Sequence, residues 1–358
     1  LVLFDIYKNK KVFITGHSGF KGSWLSLWLH HIGAKIYGYS LKPNTTFNHF
    51  DILSMQKIFE KSYFEDINDY TKLENALFKC DPEIIFHLAA QPLVRYSYKN
   101  PIETFQTNAI GTLNILNIAR KLKNLKAIVV ITTDKVYENK EWYWGYKELD
   151  PLGGYDPYSA SKACAEIIIN SIRQSFFNVD EFKKSHNVLI ASARAGNVIG
   201  GGDWSEDRLI PDVIKAASKN SSAIIRNPKS TRPWQHVLEP LRAYLMLGEK
   251  LLEGNKEFAT SFNFGPNNEG DLSVEDVLKL ASSFWDKISY QIQVDLNALH
   301  EANLLMLDIS KARKMLNWTP ILNSSLSIEW TIKWYKEFYE KNNILTVNHL
   351  EKYLEKLS

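Results

Sequence analysis

The chain has 358 residues, long enough for one large or two modest domains, and 45% apolar with 23% charged residues is ordinary for a soluble globular protein. Its net charge of +3 and the absence of a basic block argue against a nucleic-acid partner. Cys80 and Cys164 are too few for a disulfide framework and fit a reducing cytoplasm, and no apolar run approaches the roughly 18 residues of a membrane span.

The opening LVLFDIYKNKK turns charged too soon for a signal peptide, and the nine histidines show no metal-ligand spacing, so no metal is expected. The segment KVFITGHSGFKGSWLSLWLHHIGAKIYG follows. Val12, Phe13 and Ile14 are the short apolar run of a strand buried on both faces. Glycines come next at 16, 19 and 22, then a helix whose Trp24, Trp28 and Ile32 fall four apart. Gly33 is placed to end that helix in a left-handed conformation, before a second strand at Lys35–Tyr39. A glycine-rich turn there lets the backbone approach a pyrophosphate, while the helix N-terminus offers free N–H groups. The unit reads as a dinucleotide site, although three such glycines also occur in purely structural turns.

Further strands are predicted at Tyr63–Asp66, Ile84–Phe86, Ala127–Ile131 and Val188–Ser192. They alternate with helices at Thr71–Phe78, Ile102–Leu122 and Ser159–Phe177. This order predicts an α/β fold with a doubly wound parallel sheet of Rossmann type over residues 1–193. After Arg194 the texture changes to GNVIGGGDW, prolines at 211, 228 and 233, and short strand-like pieces at Ile224–Arg226 and Phe262–Phe264. Amphipathic helices are expected at Val237–Leu252, Val274–Phe284 and Leu326–Tyr339. Residues 194–358 are therefore expected to form mainly a smaller α+β lobe over the carboxyl edge of the sheet, with some segments returning to the first domain. Leu350, Tyr353, Leu354 and Leu357 fall at the spacing of a packing helix.

Two clusters carry chemistry. The pattern YxxxK occurs three times, at Tyr7/Lys11, Tyr143/Lys147 and Tyr158/Lys162, so context has to decide. Only Tyr158 opens a helix, after Asp156-Pro157. A phenol one turn from an ammonium group titrates below its usual value near 10 and can serve as a base. The plain alternative is an exposed ring and a solvated lysine. Thr132-Thr133-Asp134-Lys135 closes the apolar run AIVVI, placing a hydroxyl, an acid and a cation where α/β active sites lie. The plain alternative there is a helix cap and turn.

The spacing GxxGxxG is similar to that of the short-chain dehydrogenase/reductase superfamily. Thr133-Asp134-Lys135 resembles the Thr-Asp-Glu of nucleotide-sugar 4,6-dehydratases, with lysine for glutamate as in their CDP-glucose branch. TGHSGFKGSWLSLWL, FHLAAQPLVR, YDPYSASK, RAGNVIGGGDW, RLIPD and RPWQHV are similar to that branch in the same order, over nearly the whole chain.

The resemblance implies NAD as cofactor and CDP-glucose as substrate. The reaction it implies is an internal redox dehydration to CDP-4-keto-6-deoxyglucose, serving the deoxysugars of cell-surface polysaccharide such as lipopolysaccharide O-antigen. In it Tyr158 accepts the 4-hydroxyl proton, Lys162 orients the cofactor ribose and Thr133 binds the 4-oxygen. Asp134 protonates the departing 6-hydroxyl, and Lys135 removes the proton on carbon 5. Gly16, Gly19, Phe20, Gly22, Asp66, Ile67, Leu88, Ala89, Ala90 and Asn108 match cofactor positions, with Tyr158 and Lys162. Arg232 matches the diphosphate arginine with Arg208 as a second contact; Asn197, Leu209, His236 and Glu301 match the nucleotide pocket. Helices Ile102–Leu122 and Ser159–Phe177 resemble a dimer interface, implying a homodimer or dimer of dimers.

Two features depart from a simple picture. A lysine base at 135 has to be lowered from about 10.4 by burial or a neighbouring cation. The second strand ends at Ser40 without the acid that accepts adenosine ribose hydroxyls, and Lys42 is suited to a 2′-phosphate. A 4-epimerase or reductase shares the fold and Tyr158/Lys162 but has no use for the acid and second base at Asp134-Lys135. A non-catalytic cofactor-binding protein has no need of both the YSASK and TTDK sets.

Overall fold

The computed structural model describes residues 4–267, 272–293 and 304–357, so Glu301 lies outside the described residues. Its main sheet has seven strands: β1 (Lys11–Thr15), β2 (Lys35–Ser40), β3 (Lys61–Phe64), β4 (Ile84–His87), β5 (Ala127–Ile131), β6 (Leu189–Ala195) and β7 (Ser261–Phe264). Their order is β7-β6-β5-β4-β1-β2-β3, and every neighbouring pair is parallel. A parallel sheet of this kind is covered on both faces, which explains its continuous apolar runs. Val12 and Ile14 point into one core with Trp24, Trp28 and Leu241, while Phe13 between them points into the other with Leu77, Ile115 and Ile169. Ile85 and Ile128 repeat the alternation.

The chain runs outward from β1 through β2 to β3, then returns to place β4 on the other side of β1. That reversal opens a crevice at the carboxyl ends of β1 and β4, where doubly wound sheets bind ligands. The last strand, β7, comes from beyond residue 194 and pairs with β6. The helix Leu238–Leu252 likewise packs on the main sheet.

The remaining lobe is built of short pairs. Val198–Ile199 pairs with Gln235–His236, Thr231–Arg232 with Leu272–Ser273, and Ala223–Ile225 with Tyr290–Ile292. Its core is aromatic: Trp204, Trp234, Trp285, Trp334 and Tyr335 pack with Ile210, Val277 and Ile332. The tail forms the helix Thr346–Glu355, with Leu350 and Tyr353 buried, and the Tyr353 hydroxyl donates to Glu239 Oε2 at 2.9 Å.

The helix predicted over Ile102–Leu122 is not uniform. It is α-helical over Pro101–Phe105, widens to a π-turn over Gln106–Ile110, and resumes as α-helix over Gly111–Ala119. Within the wide turn the Asn108 side chain is tied on both sides. Its Oδ1 accepts from Gln91 N at 2.8 Å, and its Nδ2 donates to Gln91 O at 3.1 Å and to Ser161 Oγ at 2.8 Å. Single π-turns of this kind recur at functional sites.

Candidate active site

The glycine turn shows which of its glycines packs and which stays bare. Gly16 stands at φ +73°, and a Cβ there would lie 2.8 Å from Ala89 N; on Gly22 it would lie 2.0 Å from Gly16 O. These two hold β1, its helix and β4 together. A Cβ on Gly19 would meet only Gly16 O, at 3.4 Å, and Gly19 lines the crevice. The helix Phe20–His31 begins there without a side-chain cap, leaving its first N–H groups to an anion. The turn thus fits the diphosphate of a dinucleotide.

The crevice is a cavity of about 760 Å³. It brings together Gly16, Gly19, Phe20, Gly22, Asp66, Ile67, Leu88, Ala89 and Ala90 from the sheet side. Thr133, Asp134, Lys135, Tyr158 and Lys162 lie on the same wall, and Asn197, Arg208, Leu209 and Arg232 face them from the smaller lobe. Two predicted positions do not reach it. Asn108 is fully buried behind the wall, where it holds the Gln91 loop to Ser161. His236 is also fully buried, with its ring against Trp24, Trp330 and His349, and its Nδ1 accepts from Leu238 N at 3.4 Å. Both side chains are held by protein neighbours behind the cavity wall.

The reactive wall is set by the helix Pro157–Phe176. Asp156 caps it, accepting from Ser159 N at 2.9 Å and Ser159 Oγ at 2.6 Å, with Pro157 in the first turn. Tyr158 is thereby held beside Thr133, with which it hydrogen-bonds. The sequence predicts an acidified phenol, yet burial pushes Tyr158 up to about 12, against the Thr133 hydrogen bond and Arg208. Desolvation outweighs the cations here. It also pushes Lys162 down to about 8, opposed by Glu166; the Lys162 ammonium donates to Ile131 O at 3.3 Å. Asp134 is fully enclosed and raised above the usual carboxylate value by burial, against Lys135, the Thr133 hydrogen bond and Arg232. Thr133 Oγ1 donates to Asp134 Oδ1 at 2.9 Å, while Oδ2 is buried with no hydrogen-bond partner. Burial thus shifts this carboxyl toward the protonated form that a proton donor needs. Lys135 is half-buried in the cavity wall beside it.

Comparison with known proteins now bears on this geometry. The family described as GDP-mannose 4,6 dehydratase matches residues 13–329. A CDP-glucose 4,6-dehydratase of Salmonella typhimurium is 46% identical over 348 residues, 97% of this chain and 96% of that protein. The chain belongs to this dehydratase family, within the extended short-chain dehydrogenases/reductases. More distantly, a UDP-glucose 4-epimerase of Mycoplasma pneumoniae is 26% identical, over 78% of this chain and 83% of its own. Among solved structures, the fold is shared with the UDP-glucose 4-epimerase of Thermotoga maritima with UDP-glucose. That match has a TM-score of 0.77 at 19% identity, covering 92% of this chain and 99% of that one. It is shared too with the dTDP-glucose 4,6-dehydratase of Bacillus anthracis in complex with NAD, at a TM-score of 0.74 and 21% identity, over 92% and 97%.

Sequence reasoning missed several groups in this dehydratase's cavity. Lys21, inside the glycine motif, lines it and is lowered to about 8 by burial, then by Arg208 and Lys162. Its signal was a cation between Gly19 and Gly22, in the first turn of the helix Phe20–His31. Arg95 and Asp207 approach to 3.6 Å from opposite walls, and Asp203 Oδ2 accepts from Arg208 Nη1 at 2.9 Å. The Arg95–Asp207 contact has no local mark, because its two partners come from distant loops, whereas Asp203 and Arg208 lie five residues apart.

A relay at the carboxyl end of β4 orders the loop at Leu88–Gln91. Thr112 Oγ1 donates to Asn108 O at 2.7 Å, so it accepts from His87 Nε2 at 3.1 Å. His87 Nδ1 is then the acceptor of Thr15 Oγ1 at 2.6 Å, which in turn accepts from Ala89 N at 3.1 Å. Burial, with Lys162, lowers His87 to about 3, so the relay is neutral. Among the described residues no helix is long and apolar enough to cross a membrane, and no group of three or more His, Cys, Asp and Glu could hold a metal ion.

Proposed function

We propose that the protein converts CDP-glucose to CDP-4-keto-6-deoxyglucose and water with bound NAD, as a CDP-glucose 4,6-dehydratase. The observation that carries this is the joining of Thr133-Asp134-Lys135 and Tyr158/Lys162 on one wall of the crevice, in a chain 46% identical to such an enzyme. NAD would lie over Gly19 and the start of the Phe20–His31 helix, with Asp66, Ile67 and Leu88 to Ala90 along it and Lys162 toward its ribose. When bound it supplies the reversible hydride acceptor that an internal redox dehydration needs.

The chain's own groups do the rest. Tyr158 takes the proton of the 4-hydroxyl, with the Arg208 cation favouring the ionised phenol against its burial. Thr133 holds the 4-oxygen. Asp134, shifted toward its protonated form by burial, protonates the departing 6-hydroxyl, and Lys135 removes the proton at carbon 5. Arg208 and Arg232 hold the diphosphate across the cavity, with Asn197 and Leu209 along the nucleotide. The division of labour follows residues 1–193 for the cofactor and 194–358 mainly for the nucleotide sugar. Exposed Ile102, Ile110, Ile167 and Phe176 on the two helices beside the site support a homodimer through that face. A cytoplasmic setting in deoxysugar assembly for cell-surface polysaccharide fits the substrate.

The test is incubation with CDP-glucose, with and without added NAD, following loss of one water by mass spectrometry and trapping the ketone with borodeuteride. Turnover of UDP- or dTDP-glucose in place of CDP-glucose would overturn the nucleotide assignment. Epimerised substrate with no loss of water would favour the 4-epimerase reading.

A further inference from the structure

Behind the reactive wall lies a charged pair that the reaction above does not use. Glu166 and Arg194 are each 3% exposed and meet at 2.8 Å. Glu166 sits one helical turn beyond Lys162, which itself stands one turn beyond Tyr158, so the three share a face of the helix. Its Oε1 accepts from Thr132 Oγ1 at 2.5 Å, and its Oε2 from Ser192 Oγ at 2.8 Å and from Arg194 Nη2. Arg194 is fixed in turn by Tyr137 OH at 2.8 Å and Glu148 O at 3.0 Å, and the Tyr137 hydroxyl donates to Asn263 Oδ1 at 2.6 Å.

The pair therefore ties together β5, β6, β7 and the helix of Tyr158. Thr132 directly precedes the Thr133-Asp134-Lys135 turn. A buried ion pair is weak evidence for stability, since desolvation offsets much of the attraction. The arrangement instead places a fixed negative charge one helical turn from a buried lysine, whose ionised form it favours without touching it. We propose that Glu166 is a positioning residue: its carboxylate, clamped by Arg194, is the buried counter-charge of Lys162 and the anchor that registers the Thr132–Lys135 turn against Tyr158.

The charged and titratable groups around Lys162 sort by sign. Glu166 and Tyr158 come from its own helix, Lys21 from the glycine turn, His87 from β4 and Asp134 from the turn after β5. Arg194 lies on β6 behind Glu166. His87 is neutral and Asp134 is held toward its protonated form by burial, while Lys21 and Arg194 are cations. Glu166 is lowered below the usual carboxylate value by Arg194 and its hydroxyl partners, despite burial, and remains ionised. Of the groups named, it is the lasting anion beside Lys162. Without it the lysine gives up its proton at lower pH.

The test compares Glu166→Gln with Glu166→Asp in the full-length protein, by the pH dependence of kcat/KM for CDP-glucose. In Glu166→Gln the alkaline limb of the profile moves toward acid by about one pH unit, with about a tenfold loss at pH 8. Glu166→Asp keeps the limb in place and loses several-fold in kcat, because the shorter side chain slackens Thr132. Should Glu166→Gln fail to fold around an unpaired Arg194, the double variant Glu166→Gln/Arg194→Met carries the same readout with a smaller shift. An unmoved limb in the folded variant would overturn the proposal and leave Glu166 as a packing partner of Arg194. The inference rests on the dehydratase reading, and the two fail separately. If the wild-type protein leaves CDP-glucose unchanged, that reading falls. The pH dependence of NAD binding, followed by tryptophan fluorescence, then decides the Glu166 proposal on the same acidward shift.

Discussion

The sheet and the smaller lobe face each other across one cavity but are held by different rules. In the sheet, side chains alternate between two aliphatic cores, so neighbours in sequence decide where each residue goes. In the lobe, strands of two or three residues carry little pattern, and large rings from distant segments supply the core instead. Trp334 stacks with Phe338 on its own helix, meets Trp204 at 5.7 Å between ring centres, and covers Gly201 so closely that a Cβ there would lie 2.1 Å from it. Regularity makes the first region tolerant and readable; the second depends on a few anchors.

The largest expected effect falls on the sheet side of the cavity. Tyr158→Phe should cost about a thousandfold in kcat on CDP-glucose while leaving the melting temperature nearly unchanged. Retained turnover would remove Tyr158 from the chemistry. In the lobe, Trp334→Ala should destabilise by about 3–5 kcal/mol in denaturant titration and weaken CDP-glucose binding while sparing NAD binding. Equal loss of both ligands would show that the two regions unfold as one.

Asp134→Asn sharpens the contrast between function and packing. A carboxyl raised on folding loses stability as pH climbs past its unfolded value near 4, because the folded protein resists giving up a proton that the unfolded chain releases. The amide should therefore raise stability at pH 7 while dehydration falls about a hundredfold. A stability loss with full activity would contradict both halves.

The buried imidazoles give the opposite sign. Burial lowers His17 and His349 to about 4 and His49 to about 3, and with Lys162 it lowers His87 to about 3. Between those values and about 6.5 the unfolded chain binds protons that the folded chain refuses. Each histidine then costs up to about 2 kcal/mol at pH 5, and calorimetry should show the melting temperature falling steadily from pH 7 to 5. A flat profile would mean that these rings are not buried neutral. The smallest effect is expected at Leu149, 99% exposed, where Leu149→Ser should change stability by less than about 0.5 kcal/mol.

What the sequence disclosed follows the same division. Runs such as VFI and AIVVI announced the strands because burial on both faces leaves only apolar choices. Tyr158, Asp134 and Arg232 were legible because each sits in a contiguous motif. The raised Tyr158 phenol was not, since desolvation depends on walls contributed by residues far along the chain. His236 belonged to a recognisable motif, yet its ring is enclosed by Trp24 from the other half of the molecule and by Trp330. Lys21 stood in plain view inside the turn, but its neighbours Lys162 and Arg208 come from elsewhere.

The π-turn at Gln106–Ile110 has a consequence for how this chain tolerates change in length. An α-helix advances by about 100° per residue, so one residue added to a regular helix would swing everything after it by that angle, whereas the wide turn takes the extra residue up locally and keeps the phase of the helix that follows. Deleting one residue of the wide turn other than Asn108 should relax it to plain α-helix and leave Ile115 and Ile118 in the core and Gly111 against Ile67. The same deletion within Gly111–Ala119, where no wide turn absorbs it, should turn the following core residues away from the sheet and be far more disruptive.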